Sequence, residues 1–165
     1  MKKLFILAFV VLGLSGVSFG QSTETKAVSA TAKIISPLTV TKTGDIIFGS
    51  IVPDLTAGTV DISTDATATR TPSGAIACIG TFSNAKFTVG GETLSTYSVS
   101  LPATVTLTDG VGTNMIGTLS MSANAAGNQI ATADFYVGAS LAVGTAAAQL
   151  AGDYTGTFDV TVSYE

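Results

Sequence analysis

The chain has 165 residues, of which 82 are Gly, Ala, Ser or Thr, while Trp and His are absent and Cys occurs once. This composition excludes an intrachain disulfide framework, a His-based catalytic triad and a His-ligated metal site. Seven basic residues against eleven acidic ones give a net charge of −4, and no Lys or Arg follows Lys86. The second half therefore has no cationic side chains with which to displace counterions, and no nucleic-acid partner is expected.

Lys2 and Lys3 precede the apolar run Leu4 to Leu12, and the stretch that follows ends in Ser18, Phe19 and Gly20. A positive start, a short apolar run and small residues at the cleavage positions predict a secretory signal peptide over residues 1–20. The run is too short to cross a bilayer, which takes roughly 20 apolar residues. Cleavage would leave 145 residues, enough for one domain over 21–165 with a sizeable core. The expectation is export to the periplasm, cell surface or extracellular space, with no membrane span in the mature chain.

Beyond residue 20 the apolar period is two. Val28, Ala30, Ala32 and Ile34 alternate with polar residues, and Leu38 to Thr41 continues past Pro37. Further alternating or apolar runs cover 46–51, 59–63, 75–79, 85–89, 97–101, 105–107, 115–121, 133–137, 141–143 and 154–164. Each is short, rich in Val, Ile, Thr, Tyr or Phe, and bounded by Gly, Asn, Asp, Pro or Ser, so each predicts a strand. Only 146–151 could form a helical turn. About nine or ten strands at this spacing predict an all-β fold, an Ig-like antiparallel β-sandwich. The 26 threonines fit a half-buried sheet, because a β-branched polar residue holds an extended backbone and presents a hydroxyl to water.

Catalysis would have to rest on carboxylates. Asp61, Ser63 and Asp65 alternate along one strand face, a pattern open to paired-acid chemistry or to oxygen ligation of calcium, but equally that of a solvated strand edge. Cys78 lies in the apolar stretch 75–79 and reads either as a small core residue or as a thiol open to intermolecular pairing. With no Trp, stacking on sugars loses its best residue. No enzymatic activity, cofactor or metal site is expected.

The cleanest pattern is the C-terminus. Tyr154, Gly156, Phe158, Val160, Val162 and Tyr164 share one face, with Thr155, Thr157, Asp159, Thr161 and Ser163 on the other. Tyr154, just after Gly152, is placed to return its hydroxyl to nearby backbone, as a tyrosine corner does.

The segment 36–53, with Gly58-Thr-Val, Ala85-Lys-Phe-Thr-Val, Tyr97-Ser-Val-Ser-Leu-Pro and the terminal Gly-x-Tyr-x-Gly-x-Phe-x-Val-x-Val-x-Tyr, resembles the bacterial exported family called domain of unknown function 4402. That family in turn resembles spore coat U type and other chaperone-usher fimbrial subunits. The wider resemblance implies an incomplete sandwich completed by the N-terminal extension of another subunit, a form of β-augmentation. The donor would be residues 21–34, through Val28, Ala30, Ala32 and Ile34. The acceptor edge would involve the strand ending at Tyr164, with Tyr154, Gly156 and Phe158. Alternatively, residues 28–34 form the first strand of their own domain. A single Cys departs from the disulfide that many such subunits carry.

The sequence thus predicts a non-catalytic, exported structural or adhesive surface protein that associates with itself or with other surface subunits by strand addition. The alternative is a monomeric periplasmic or extracellular module that binds carbohydrate or calcium.

Overall fold

The computed structural model describes Gly20 and residues 22–123 and 133–165. The signal-peptide expectation for residues 1–20 falls almost wholly outside them. The chain divides into two compact units, Met1–Lys33 and Ile34–Glu165, and every described strand lies in the second. Within the first unit, residues 22–33 are exposed and form no strand. The expectation that 28–34 make the domain's own first strand is therefore not met: the alternation exists, but no strand edge is paired with it. Among the described residues no helix is long and apolar enough to cross a membrane.

The second unit is built of eleven described strands, all antiparallel: β1 Thr39–Lys42, β2 Ser50–Val52, β3 Gly58–Ile62, β4 Arg70–Pro72, β5 Ala77–Ile79, β6 Ala85–Gly90, β7 Tyr97–Ser100, β8 Thr104–Leu107, β9 Met115–Met121, β10 Ala133–Val143 and β11 Thr161–Tyr164. The fold is an all-β sandwich. Its first layer holds seven strands around β10. Val137 pairs with both β6 and β9, and residues 139–141 pair with both β3 and β9. A strand has two edges, so β9 must take one of them while β6 and β3 share successive stretches of the other. The handover falls at Gly138, where an added methyl would strike the carbonyls of Ile62 and Ser63. Asn84 closes the junction by donating to Ser63 O at 3.0 Å and Asp65 O at 2.7 Å.

The inner face of this layer carries the core. Phe87, Val89, Phe135 and Val137 are buried, and the Phe87 and Phe135 rings stack with centroids 5.1 Å apart. Their contacts reach Tyr97 and Val99 of β7 and the half-buried Phe158, Val160 and Val162 of the C-terminal segment. A second cluster gathers Val60, Ile76, Met115, Leu141 and Val143, with Ile51, Cys78 and Tyr154 against it. Both clusters are what period-two alternation produces when one face of each strand meets another layer.

The second layer is not continuous. It consists of two separate pairs, β2 with β5 and β7 with β11. The predicted strand over 154–164 is ladder-paired only at 161–164, against β7, and upstream it makes a single bridge from Thr155 to Thr108. The chain there passes so close to β8 that a methyl on Gly156 would meet Thr106 O. The runs 133–137 and 141–143 fuse into β10, because Gly138 keeps an extended backbone between them. Residues 70–72, too polar to stand out by alternation, form β4 against β3.

A candidate strand-accepting groove

Beside β2 lies a groove with a cavity volume of about 1030 Å³. Its first wall is residues 45–51 and its second is residues 152–158, with Phe87, Met115, Ala139 and Leu141 in the floor.

Several contacts from outside the groove hold the first wall. Ile47 exchanges backbone hydrogen bonds with Ser83 at 2.9 and 3.0 Å, and the Ser83 hydroxyl donates to Asp45 O at 2.6 Å. Arg70 donates to Phe48 O at 2.7 Å while its guanidinium stands 4.8 Å from the centre of the Phe82 ring. Gly49 takes φ +77°, and an added methyl would sit 2.6 Å from Ile79 O and 2.9 Å from Thr81 O. Only glycine fits that turn.

The second wall is held from the β8 side. Thr155 and Thr108 exchange backbone hydrogen bonds at 2.9 and 3.0 Å. Asp109 accepts from the backbone N–H groups of Val111 and Gly112 at 3.0 and 2.7 Å, closing an Asx turn. Those two donors, Gly112 first, hold its carboxyl below the usual range, with help from the Tyr154 hydroxyl. Tyr154 also donates to Leu150 O at 3.0 Å, the return to upstream backbone that the sequence pattern predicts.

Among the described residues the walls are paired only in part: Ser50 and Ile51 pair with β5, Ile47 bridges to Ser83, and Thr155 bridges to Thr108. Backbone N–H and C=O groups of the walls outside these pairings rely on water or on an added strand. The apolar side chains beside them are under-covered. Ile46, Phe48, Ile51, Tyr154 and Phe158 are only half-buried, whereas the floor is nearly closed, with Leu141 1% and Ala139 2% exposed.

Of the residues singled out from sequence, Tyr154, Gly156 and Phe158 line the second wall. Tyr164 does not; it pairs with Tyr97 at the far end of β11. There its hydroxyl donates to Ser36 O at 2.8 Å and accepts from Glu92 N at 2.7 Å. Val28, Ala30, Ala32 and Ile34 are exposed, Val28 at 89% and Ile34 at 95%. Sequence reasoning missed the first wall. The signal available was Gly49 between two apolar stretches and the arginine Arg70 in a Thr-rich stretch, neither of which reveals a groove without the layers in place.

The carboxylates do not converge. Asp61 accepts from Ser140 on the outer face of the sheet at 2.5 Å, and Asp65 contributes its carbonyl to Asn84. Among the described residues no three Cys, Asp or Glu side chains cluster to hold a metal ion. Another polar group on the outer face is Lys86 with Asp134, 2.7 Å apart. Hydrogen bonds from Lys86 and then Thr88 hold the Asp134 carboxyl below its usual range, and Asp134 raises Lys86. Cys78 is a half-exposed free thiol on β5, opposite Ile51.

No curated protein and no solved structure matches the chain. A family model described as Domain of unknown function (DUF4402) matches residues 38–164, all but the first four residues of the sandwich unit and its last one, and the chain belongs to that family.

Proposed function

We propose that the protein is a non-catalytic, exported structural or adhesive surface subunit that associates with itself by β-strand addition. The observation that supports this reading is a groove of about 1030 Å³ whose two walls, residues 45–51 and 152–158, are only partly ladder-paired and carry apolar, half-buried side chains. Unguarded edges of this kind template pairing with another chain. Among the described residues the charged ones lining the groove are Lys42, Asp45 and Asp153, and Lys42 is paired with Asp45 at 2.6 Å. Edge lysines, the usual deterrent to strand addition, are thus scarce along it.

The test is the assembly state of the purified, exported chain, followed by light scattering and electron microscopy over a range of concentrations. Oligomers or fibres are expected. A strict monomer at all concentrations, with saturable binding of calcium or an oligosaccharide, would replace this reading with that of a ligand-binding module.

A further inference from the structure

We infer that Gln149 sets the register of the strand that enters the groove, by accepting a hydrogen bond from one polar position of that strand. This rests on the reading of the protein as a strand-adding subunit and names what the incoming strand must carry. Its otherwise apolar face needs an N–H or O–H donor at one point.

Gln149 stands out in its surroundings. It is the one polar residue in 146–151, a stretch otherwise made of Ala and Leu. Ala148 and Gln149 both donate their backbone N–H to Thr145 O at 2.9 Å, closing a turn, and the Gln149 side chain is only 9% exposed. Among the described residues Asn84 is the other buried polar one, and it does not line the groove, whereas Gln149 does.

The amide is oriented by its partner. Gln149 Nε2 donates to Thr113 O at 2.7 Å. A backbone carbonyl only accepts, so the nitrogen must face Thr113 and Oε1 must point the other way. Oε1 lies beside Gly144, where an added methyl would sit 3.3 Å from it, and among the described residues it accepts no hydrogen bond. No described side-chain oxygen that is sealed from solvent lacks a partner, so Oε1 still meets solvent. It is the free acceptor that Gln149 presents to an occupant of the groove.

An open groove lets water satisfy this oxygen, and an inserted strand displaces that water. With an apolar side chain opposite, Oε1 is buried without a donor, which is unfavourable; a donor there removes the penalty. The neighbouring floor makes no such demand, because Met115, Leu141 and Val143 are apolar and buried. Apolar burial is non-directional, and a slip of two residues returns the same face to the floor. Lys42 and Asp45 are exposed and satisfy each other at 2.6 Å, so they do not fix the alignment either. A single buried polar partner does, as a lone Asn fixes register in a coiled coil.

The test is a scan with synthetic peptides. The host is a strand of about nine residues that alternates Ala and Thr, long enough to span either wall, with Lys at both ends for solubility. Each Ala is replaced in turn by Asn, and uptake is read as Kd by calorimetry and as the rise in Tm. For the parent chain, Asn at one position should bind about tenfold tighter than the host, and Asn elsewhere should bind no better. Gln149→Met keeps the shape and removes the acceptor, so the favoured position should disappear and the host should bind best. Uptake by the parent with no position favoured would overturn the inference and leave strand addition standing. The same favoured position in Gln149→Met would overturn it too. Should loss of the Thr113 contact unfold that variant, the scan on the parent still decides, since it needs no substitution in the protein. No uptake of any peptide by the parent would overturn strand addition itself, and the register role with it.

Discussion

Tyr164→Phe isolates the clasp in which the Tyr164 hydroxyl joins Ser36 and Glu92 from the packing around it. The ring stays, and with it the contacts to the core and the close approach to Gly91; only the hydroxyl is lost. That hydroxyl makes two hydrogen bonds, accepting from Glu92 N at 2.7 Å in a part-buried setting and donating to Ser36 O at 2.8 Å in an exposed one. A neutral hydrogen bond contributes about 0.5–1.5 kcal/mol net, and an exposed one lies at the low end because water replaces it. Roughly 1 kcal/mol for Glu92 and 0.5 kcal/mol for Ser36 give a loss of about 1.5 kcal/mol, a factor of ~12 in the folding equilibrium. In urea, with a slope of about 2 kcal/mol/M for a domain of this size, the midpoint should fall by roughly 0.7 M with the slope unchanged. Equilibrium unfolding followed by tyrosine fluorescence measures both. A midpoint shift below about 0.15 M, equivalent to ~0.3 kcal/mol, would refute the clasp as an energetic link between the first and last residues of the sandwich.

Gly49→Ala should cost about 2 kcal/mol or more, since it forces a side chain into positive φ and presses a methyl on Ile79 O and Thr81 O; urea unfolding checks it, and a neutral result would mean that the first wall is not fixed there. Phe135→Ala removes a fully buried ring stacked on Phe87 and should cost about 3–5 kcal/mol in the same assay. Asp109 and Asp134 have carboxyls depressed in the folded state, so their contribution is complete above the ordinary aspartate range near pH 4 and disappears as pH falls through the lower folded values. Thermal melts from pH 6 to 2 should show this loss, with Asp109→Asn flattening the acid limb; an unchanged limb would contradict it. Exhaustive trypsin digestion of the unfolded chain should leave residues 87–165 as one fragment, read by mass, because no Lys or Arg follows Lys86.

Strand positions were legible at residues 85–89 and 115–121, where apolar residues alternate over five or more positions, and both appear in the structure as β6 and β9 with almost those bounds. β4 escaped because Arg-Thr-Pro carries no alternation; it exists only because β3 offers a ladder to it. The C-terminal pattern was right about faces, since Phe158, Val160 and Val162 do turn toward the core. It was silent about pairing, because a side-chain period says which face is buried and nothing about which backbone edge has a neighbour. The same limit applies to residues 28–34, where perfect alternation coexists with the absence of any strand.

The amino-acid order by itself determined that this chain is all-β, that it has no histidine chemistry, and that its ends carry the two most regular alternations. These are local properties, set by side-chain period, β-branching and composition. Tertiary structure alone decided that the second layer is left in two halves, that Tyr154 and Phe158 border a groove while Tyr164 closes a clasp with Ser36 and Glu92, and that Arg70 and Gly49 hold the opposite wall. Each of those depends on residues from twenty to more than a hundred positions apart meeting across layers. A groove is a relation between distant segments, and no window along the chain records it.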